Sequence, residues 1–305
     1  MKLQIIKNRK YYYLISGALF LVSILALIAW GLKPGLDFTG GSLLELNFST
    51  ARPQVAEVQT ALAPLDLGEV IVQPANDRDI ILKFKAVSED DHQKILAAMV
   101  DKFSKADNSV QESRFDSIGP VIGRELLNRS WMMMLIAALA IIAYIGFAFR
   151  KVSKPLASWK YGVSAVLALV HDLVIVTGLF AILGHFYGIE VDSLFITALL
   201  TVMGFSVHDT IVVFDRTREN LSKFYSGKFE EVVNDSANQT VVRSINTSVT
   251  VLLVLLALFV LGGDTTKNFT LALLFGIFIG TYSSIFIASP LIVDWNNLDK
   301  HVQKK

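Results

Sequence analysis

An apolar run carries a carboxylate where water is expected to be absent. Residues 194–214, LFITALLTVMGFSVHDTIVVF, are about 21 residues long, enough for a helix to cross a ~30 Å hydrocarbon core. Asp215, Arg216, Arg218 and Glu219 mark the return to water. Asp209 lies six positions inside that boundary, roughly 9 Å deep at about 1.5 Å per residue. An ionisable group at such depth costs ~2.5 kcal/mol or more, and such groups face bundle interiors or proton and ion paths. The chemistry open to Asp209 is therefore protonation and ion pairing.

The natural counterpart lies in the next apolar run. Arg243 and Thr247 are four apart, on one helical face, with Asn246 as a polar neighbour. A guanidinium beside a membrane carboxylate favours its charged form, desolvation opposes it, and helix movement can switch the balance. The structural alternative is an Arg243 that only snorkels to the surface. His171–Asp172 falls near the middle of an earlier run. Adjacent helical residues point about 100° apart, so one can line a path while the other bonds within the bundle. His208 precedes Asp209 and titrates in the physiological range. Gly276-x-x-x-Gly280, continued by Ser283, Ser284 and Ala288, marks a face for close helix packing.

Composition bounds what surrounds these groups. The 305 residues are 53% hydrophobic, with mean hydropathy +0.51, as expected of an integral membrane protein. A net charge of +1 argues against a nucleic-acid partner. No cysteine is present, which removes disulfides and thiolate chemistry. The five histidines show no ligand spacing, so no metal is expected.

Six runs have spanning length: 12–30, 131–149, 161–183, 194–214, 243–261 and 269–293. The first follows Lys2, Lys7, Arg9 and Lys10 but is too long for a signal peptide, so it reads as an uncleaved anchor. Basic residues crowd the N-terminus, the second connection (Arg150, Lys151, Lys154, Lys160), the fourth (Arg216, Arg218, Lys223, Lys228) and the C-terminus (Lys300, Lys304, Lys305). By the positive-inside rule both termini are expected in the cytoplasm. The expected organisation is a cytoplasmic start and first helix (1–31), an external domain (32–129), five further spans (130–295) and a cytoplasmic tail (296–305). Within the fourth connection, 228–240 carries an amphipathic stripe (Phe229, Val232, Val233), expected to lie along the interface.

The external region has soluble patterning. Residues 42–48, 69–73, 79–85 and 110–118 read as strands, and 53–63 and 88–104 as helices. Ser88 offers an N-cap, and Ile95, Leu96, Met99, Val100 and Phe103 the core stripe of the second helix. The order βαββαβ predicts a ferredoxin-like sandwich. The fold class is thus an all-α six-helix transmembrane bundle with one extracytoplasmic α+β domain. No catalytic constellation stands out in that domain, so binding or mechanical coupling is expected of it.

These segments together resemble the SecF family, membrane subunits of the bacterial preprotein translocase accessory complex and relatives of the resistance-nodulation-division (RND) transporters. The motifs that carry the likeness are GLDFTGGSLLEL (35–46), IGPVIGREL (118–126), HDLVIVTG (171–178), GFSVHDTIVVFDRTREN (204–220) and RSINTSVTVLL (243–253). The likeness covers essentially the whole chain. One departure is His208, where the family motif has Asn.

The resemblance implies a non-enzymatic subunit of the bacterial inner membrane, with its large domain in the periplasm. It implies a SecD-like six-span partner, the SecYEG channel and YajC, with preproteins as substrates and lipids around the spans. The proton motive force would drive late translocation and release, with no cofactor beyond transported protons. The family's fourth-span acid maps to Asp209, and its fifth-span basic and hydroxyl residues to Arg243 and Thr247. A proton-coupled RND-type exporter of lipids or small molecules is the rival, though it would want a larger external region and a chain of double length. An intramembrane protease fits less well: Gly204-Phe-Ser206 resembles a nucleophile turn, but spans five and six hold no His. In a third reading Asp209 and Arg243 are a structural ion pair in a scaffold. Asp37 and Thr39 are expected to shape the turn leaving the membrane.

Overall fold

A computed structural model describes residues 2–75, 77–104, 107–148, 156–223 and 228–303. Several sequence-based assignments (Phe149 at the end of the second span, and the basic residues Arg150, Lys151, Lys154, Lys304 and Lys305) lie outside the described residues. The chain divides into two compact units, Pro34–Ser130 and the remainder.

In the smaller unit, β1 (Gly41–Phe48), α3 (Val55–Leu62), β2 (Ile71–Pro74), β3 (Asp79–Phe84), α4 (Glu89–Phe103) and β4 (Val110–Ile118) follow in order, with a one-turn helix α2 (Leu36–Thr39) before β1. Period-two alternation puts Leu44, Leu46, Phe48, Ile80, Leu82 and Phe84 on one face, where they meet Val58 and Leu62 of α3 and Ile95 and Met99 of α4. Each fully buried apolar side chain stabilises this core by roughly 1.5–3 kcal/mol. The sheet runs β2-β3-β1-β4 with every neighbouring pair antiparallel, which is the ferredoxin-like arrangement. On the edge strand β4, Glu45 pairs with Arg114 and Leu46 with Glu112. Ser113 is thereby left as a bulge, a feature common on edges.

Ser88 caps α4 by accepting from the Asp91 N–H at 3.3 Å. The expected core stripe needs one correction: Val100 is 37% exposed. It is turned about 100° from Met99, and the buried His92 occupies the inward position instead. The glycine pair of the first motif is enforced by backbone. Gly40 and Gly41 have φ of 72° and 130°, where a side chain is strained. A Cβ on Gly40 would lie 2.8 Å from Pro120 Cα, and one on Gly41 2.8 Å from the Phe84 carbonyl oxygen. The motifs at 35–46 and 118–126 thus lie against one another. Thr39 donates to the Gly35 carbonyl at 3.1 Å within this turn.

The larger unit holds α1 (Arg9–Ala29), most of α5 (Pro120–Ala148), α6 (Ser158–Tyr187), α7 (Ser193–Lys223), α8 (Phe229–Leu261), α9 (Asp264–Ser283) and α10 (Ser289–Gln303). A π-helical segment, Ser284–Ala288, joins α9 to α10. Among the described residues six helices are long and apolar enough to cross a membrane, α9–α10 counting as one. About half of the apolar window is buried in α6, α7 and α9–α10 (50, 50 and 56%), against 17, 6 and 11% in α1, α5 and α8. The first three are the inner helices; the other three expose wide apolar faces. Pro290 lacks an N–H to continue the ladder, and the Ser289 hydroxyl donates to the Ser284 carbonyl at 3.1 Å across the widened turn.

The helices extend past the apolar runs. No Gly or Pro interrupts 229–261, so the expected interfacial segment 228–240 is instead continuous with the fifth span in α8. Its stripe packs inward, with Phe229, Val232, Val233 and Ala237 buried. Residues before α1 lie along this part of α8. Leu3 N–H donates to Asn238 Oδ1 at 2.7 Å and Ile6 N–H to Asn234 Oδ1 at 3.2 Å, while Ile5 and Ile6 are buried. Arg9 reaches Asp294 of α10 at 2.9 Å. Lys160 is an inward-turned residue of α6, paired with Asp299 at 2.5 Å and stacked over Trp295. Residues 3–9 and 294–299 therefore share one end of this unit.

Candidate functional site

Two buried carboxylates, Asp172 and Asp209, define the polar interior of the bundle. Asp172 is fully buried on α6. Its Oδ2 accepts from Ser206 Oγ of α7 at 2.6 Å and from Ser283 Oγ of α9 at 2.7 Å. Its Oδ1 lies 3.0 Å from His171 Nδ1. The two adjacent side chains diverge as helix geometry requires: Asp172 meets α7 and α9, while the His171 ring lies parallel to Phe20 of α1, centroids 6.1 Å apart. Hydroxyls continue the polar seam. Ser284 donates to the Ser206 carbonyl at 3.0 Å, and the Thr210 and Ser284 hydroxyls are 2.8 Å apart.

Small residues allow this approach. A Cβ on Gly276 would lie 2.1 Å from Val202 Cγ2, and one on Gly280 3.0 Å from Ser206 Cβ. With Ser284, the first residue after α9, these residues recur every four positions and form the ridge against which α7 packs.

Asp209 is buried on α7, one turn beyond Ser206. His208 Nδ1 approaches its carboxylate at 3.6 Å, and that ring is largely exposed. Thr281 of α9 and Arg243 of α8 are its other electrostatic neighbours. The Ser248 and Thr281 hydroxyls, 2.5 Å apart, tie α8 to α9 at this level. Arg243, Asn246 and Thr247 all lie on the exposed face of α8, whereas Ser244 and Ser248 point inward. Among the described residues no direct ion pair joins Arg243 to Asp209.

Sequence reasoning named Asp209, Arg243, Thr247, His171, Asp172, His208 and Asn246; the partners of Asp172 escaped it. Ser206 and Ser283 are ordinary hydroxyls by type. The legible signal was the Gly276–Gly280–Ser284 spacing, which calls for a close neighbour at this depth. His92 in the smaller unit was also missed. It is buried between Glu89 at 3.0 Å and Glu112 at 2.9 Å, and stacks on Phe115 with centroids 3.7 Å apart.

Comparison with known families places these features. Residues 98–298 match the family described as "Protein export membrane protein SecD/SecF, C-terminal", and residues 27–51 match the SecD/SecF GG motif. The chain belongs to the SecD/SecF family. It is 44% identical to the protein translocase subunit SecF of Thermobaculum terrenum, over 97% of this chain and 95% of that one. Identity to the SecF subunit of Anaerolinea thermophila is 41%, over 97% and 94%. The crystal structure of SecDF from Thermus thermophilus, described as a translocon-associated membrane protein, superposes with a TM-score of 0.81 at 31% identity. It is matched over 97% of this chain but 39% of its own, so the chain spans about two fifths of that longer protein. A second SecDF structure, in a super-membrane-facing form, gives a TM-score of 0.71. The chain is thus a multi-pass membrane protein of the SecF type, and its relatives are protein translocase subunits.

Proposed function

We propose that this chain is the SecF half of a proton-driven unit that assists late preprotein translocation and release across the bacterial inner membrane. The observation that carries the reading is the setting of Asp209: a buried carboxylate whose basic neighbours, His208 and Arg243, both stand on exposed faces of the chain. A second six-span half, as in the longer SecDF chains, would cover those faces. Protonation of Asp209 then weakens its hold on Arg243 and frees α7 and α8 to re-pair with the partner. One proton falling through 100 mV supplies about 2.3 kcal/mol, a bias of about fifty-fold on a two-state arrangement. The ferredoxin-like domain, held in the periplasm, would convert that bias into movement against an emerging polypeptide. Both termini stand in the cytoplasm in this reading, SecYEG is the channel assisted, and YajC an accompanying subunit.

The test is preprotein export into inverted membrane vesicles, with the chain present or depleted, before and after the proton gradient is collapsed. The reading expects the gradient-dependent part of late export to disappear with the chain. Full gradient dependence in depleted vesicles would contradict it. Transport of a lipid or small molecule by the purified complex, with export unaffected, would favour the RND-type exporter.

A further inference from the structure

We infer that Asp172 is a positioning residue for Asp209, fixing the register of α7 against α9 as a hydrogen-bond acceptor rather than carrying a proton itself. The inference rests on the proton-coupling reading of Asp209 given above.

Both serine hydroxyls converge on the same oxygen, Oδ2, one from each of the helices that must stay aligned. Ser283 also lies 3.1 Å from the Gly280 carbonyl, but the 2.7 Å contact to a carboxylate is the stronger claim on its single hydrogen. Ser206 and Thr210 bracket Asp209 on α7, and both meet Ser284, the residue that follows α9: the Thr210 and Ser284 hydroxyls are 2.8 Å apart, and the Ser284 hydrogen is shared between the Gly280 carbonyl at 2.8 Å and the Ser206 carbonyl at 3.0 Å. The short stretch of α7 that presents Asp209 is therefore fastened on both sides of the acid. Gly280, without a side chain, leaves the room for Ser206 to enter. A one-residue slip of α7 would turn Asp209 by about 100°, away from Arg243. What this hub demands of residue 172 is an acceptor oxygen in a buried place. An amide oxygen meets that demand; an aliphatic side chain takes the acceptor from the buried Ser206 hydroxyl and leaves Ser283 only the Gly280 carbonyl of its own helix.

The experiment uses the assembled complex in vesicles and measures gradient-stimulated export for Asp172→Asn, Asp172→Leu and Ser206→Ala/Ser283→Ala, with Asp209→Asn as reference. Register is read separately. The chain has no cysteine, so Thr210→Cys/Ser284→Cys reports α7–α9 alignment by disulfide yield, with the same pair beside an intact Asp172 as the baseline for the hydroxyls it removes. The expected result is that Asp172→Asn keeps at least half the stimulation and the full cross-link. Asp172→Leu and the double alanine variant should lose stimulation at least tenfold, and Asp172→Leu should lower the cross-link at least threefold. An Asp172→Asn protein as inactive as Asp172→Leu would overturn the inference, because the acid itself would then be needed. Full stimulation in Asp172→Leu would overturn it as well. If Asp209→Asn alone keeps full stimulation, the proton reading falls, and the cross-link then decides the positioning role: an unchanged yield in Asp172→Leu rejects it.

Discussion

Gly178 of α6 and Ser23 of α1 approach so closely that a Cβ at position 178 would lie 2.3 Å from Ser23 Cβ and 2.5 Å from its Cα. The contact at Gly276 is as tight: a Cβ there would lie 2.1 and 2.8 Å from the two Val202 γ-methyls and 3.0 Å from Val202 Cβ. Val202 is fully buried and β-branched, with one favoured rotamer in a helix, so neither neighbour gives way without its helix. Gly178→Ala and Gly276→Ala should therefore each cost about 3 kcal/mol, from overpacking partly offset by alanine's better helix propensity. Denaturant unfolding in micelles checks both. A cost below about 1 kcal/mol at either position would contradict the tight helix contact there.

Arg243 stands on the exposed face of α8 without a direct carboxylate partner among the described residues. Arg243→Gln should leave the stability of the isolated chain within about 0.5 kcal/mol, yet abolish gradient-stimulated export in the complex. Thermal unfolding of the purified chain, set beside vesicle export, separates the two. A loss of several kcal/mol in the isolated chain would instead favour the structural ion pair of a scaffold.

The first turn of α4 gives a pH signature in the smaller unit. A hydrogen bond from Gln93, then one from His92, holds the Glu89 carboxyl below its ordinary 4.5. A hydrogen bond from Lys94, then one from Ser88, holds Asp91 below its ordinary 3.8. A carboxyl lowered on folding contributes stability above its unfolded value and loses it as pH falls through the folded one. Protection factors of α4 amides should decline as pH falls below about 4.5. The decline should be modest, because both groups are fully exposed and screened. Protection that rises on acidification would contradict this.

Much of this architecture could be read from residue patterns, since apolar length and period-two alternation are strong local signals. The strand face Ile80, Leu82 and Phe84 and the Ser88 cap are of this kind. Three features were not legible, for three physical reasons. The span-five helix begins at Phe229 rather than at residue 243, because helix continuity depends on the absence of breakers and on packing of Val232 and Val233. The outward aspect of Arg243 depends on which neighbours α8 meets, which its own spacing does not encode. The Asp172 hub joins residues separated by 34 and 111 positions, and a serine's type does not announce that it will hold a carboxylate.

The central claim is that Asp209 couples protons to export, and its most direct measurement is gradient-stimulated preprotein export by an Asp209→Asn complex shown to assemble normally. The account predicts that stimulation falls at least tenfold, to the level seen with the gradient collapsed, while ATP-driven early translocation continues. Undiminished stimulation with intact assembly would contradict it and make Asp209 a structural acid.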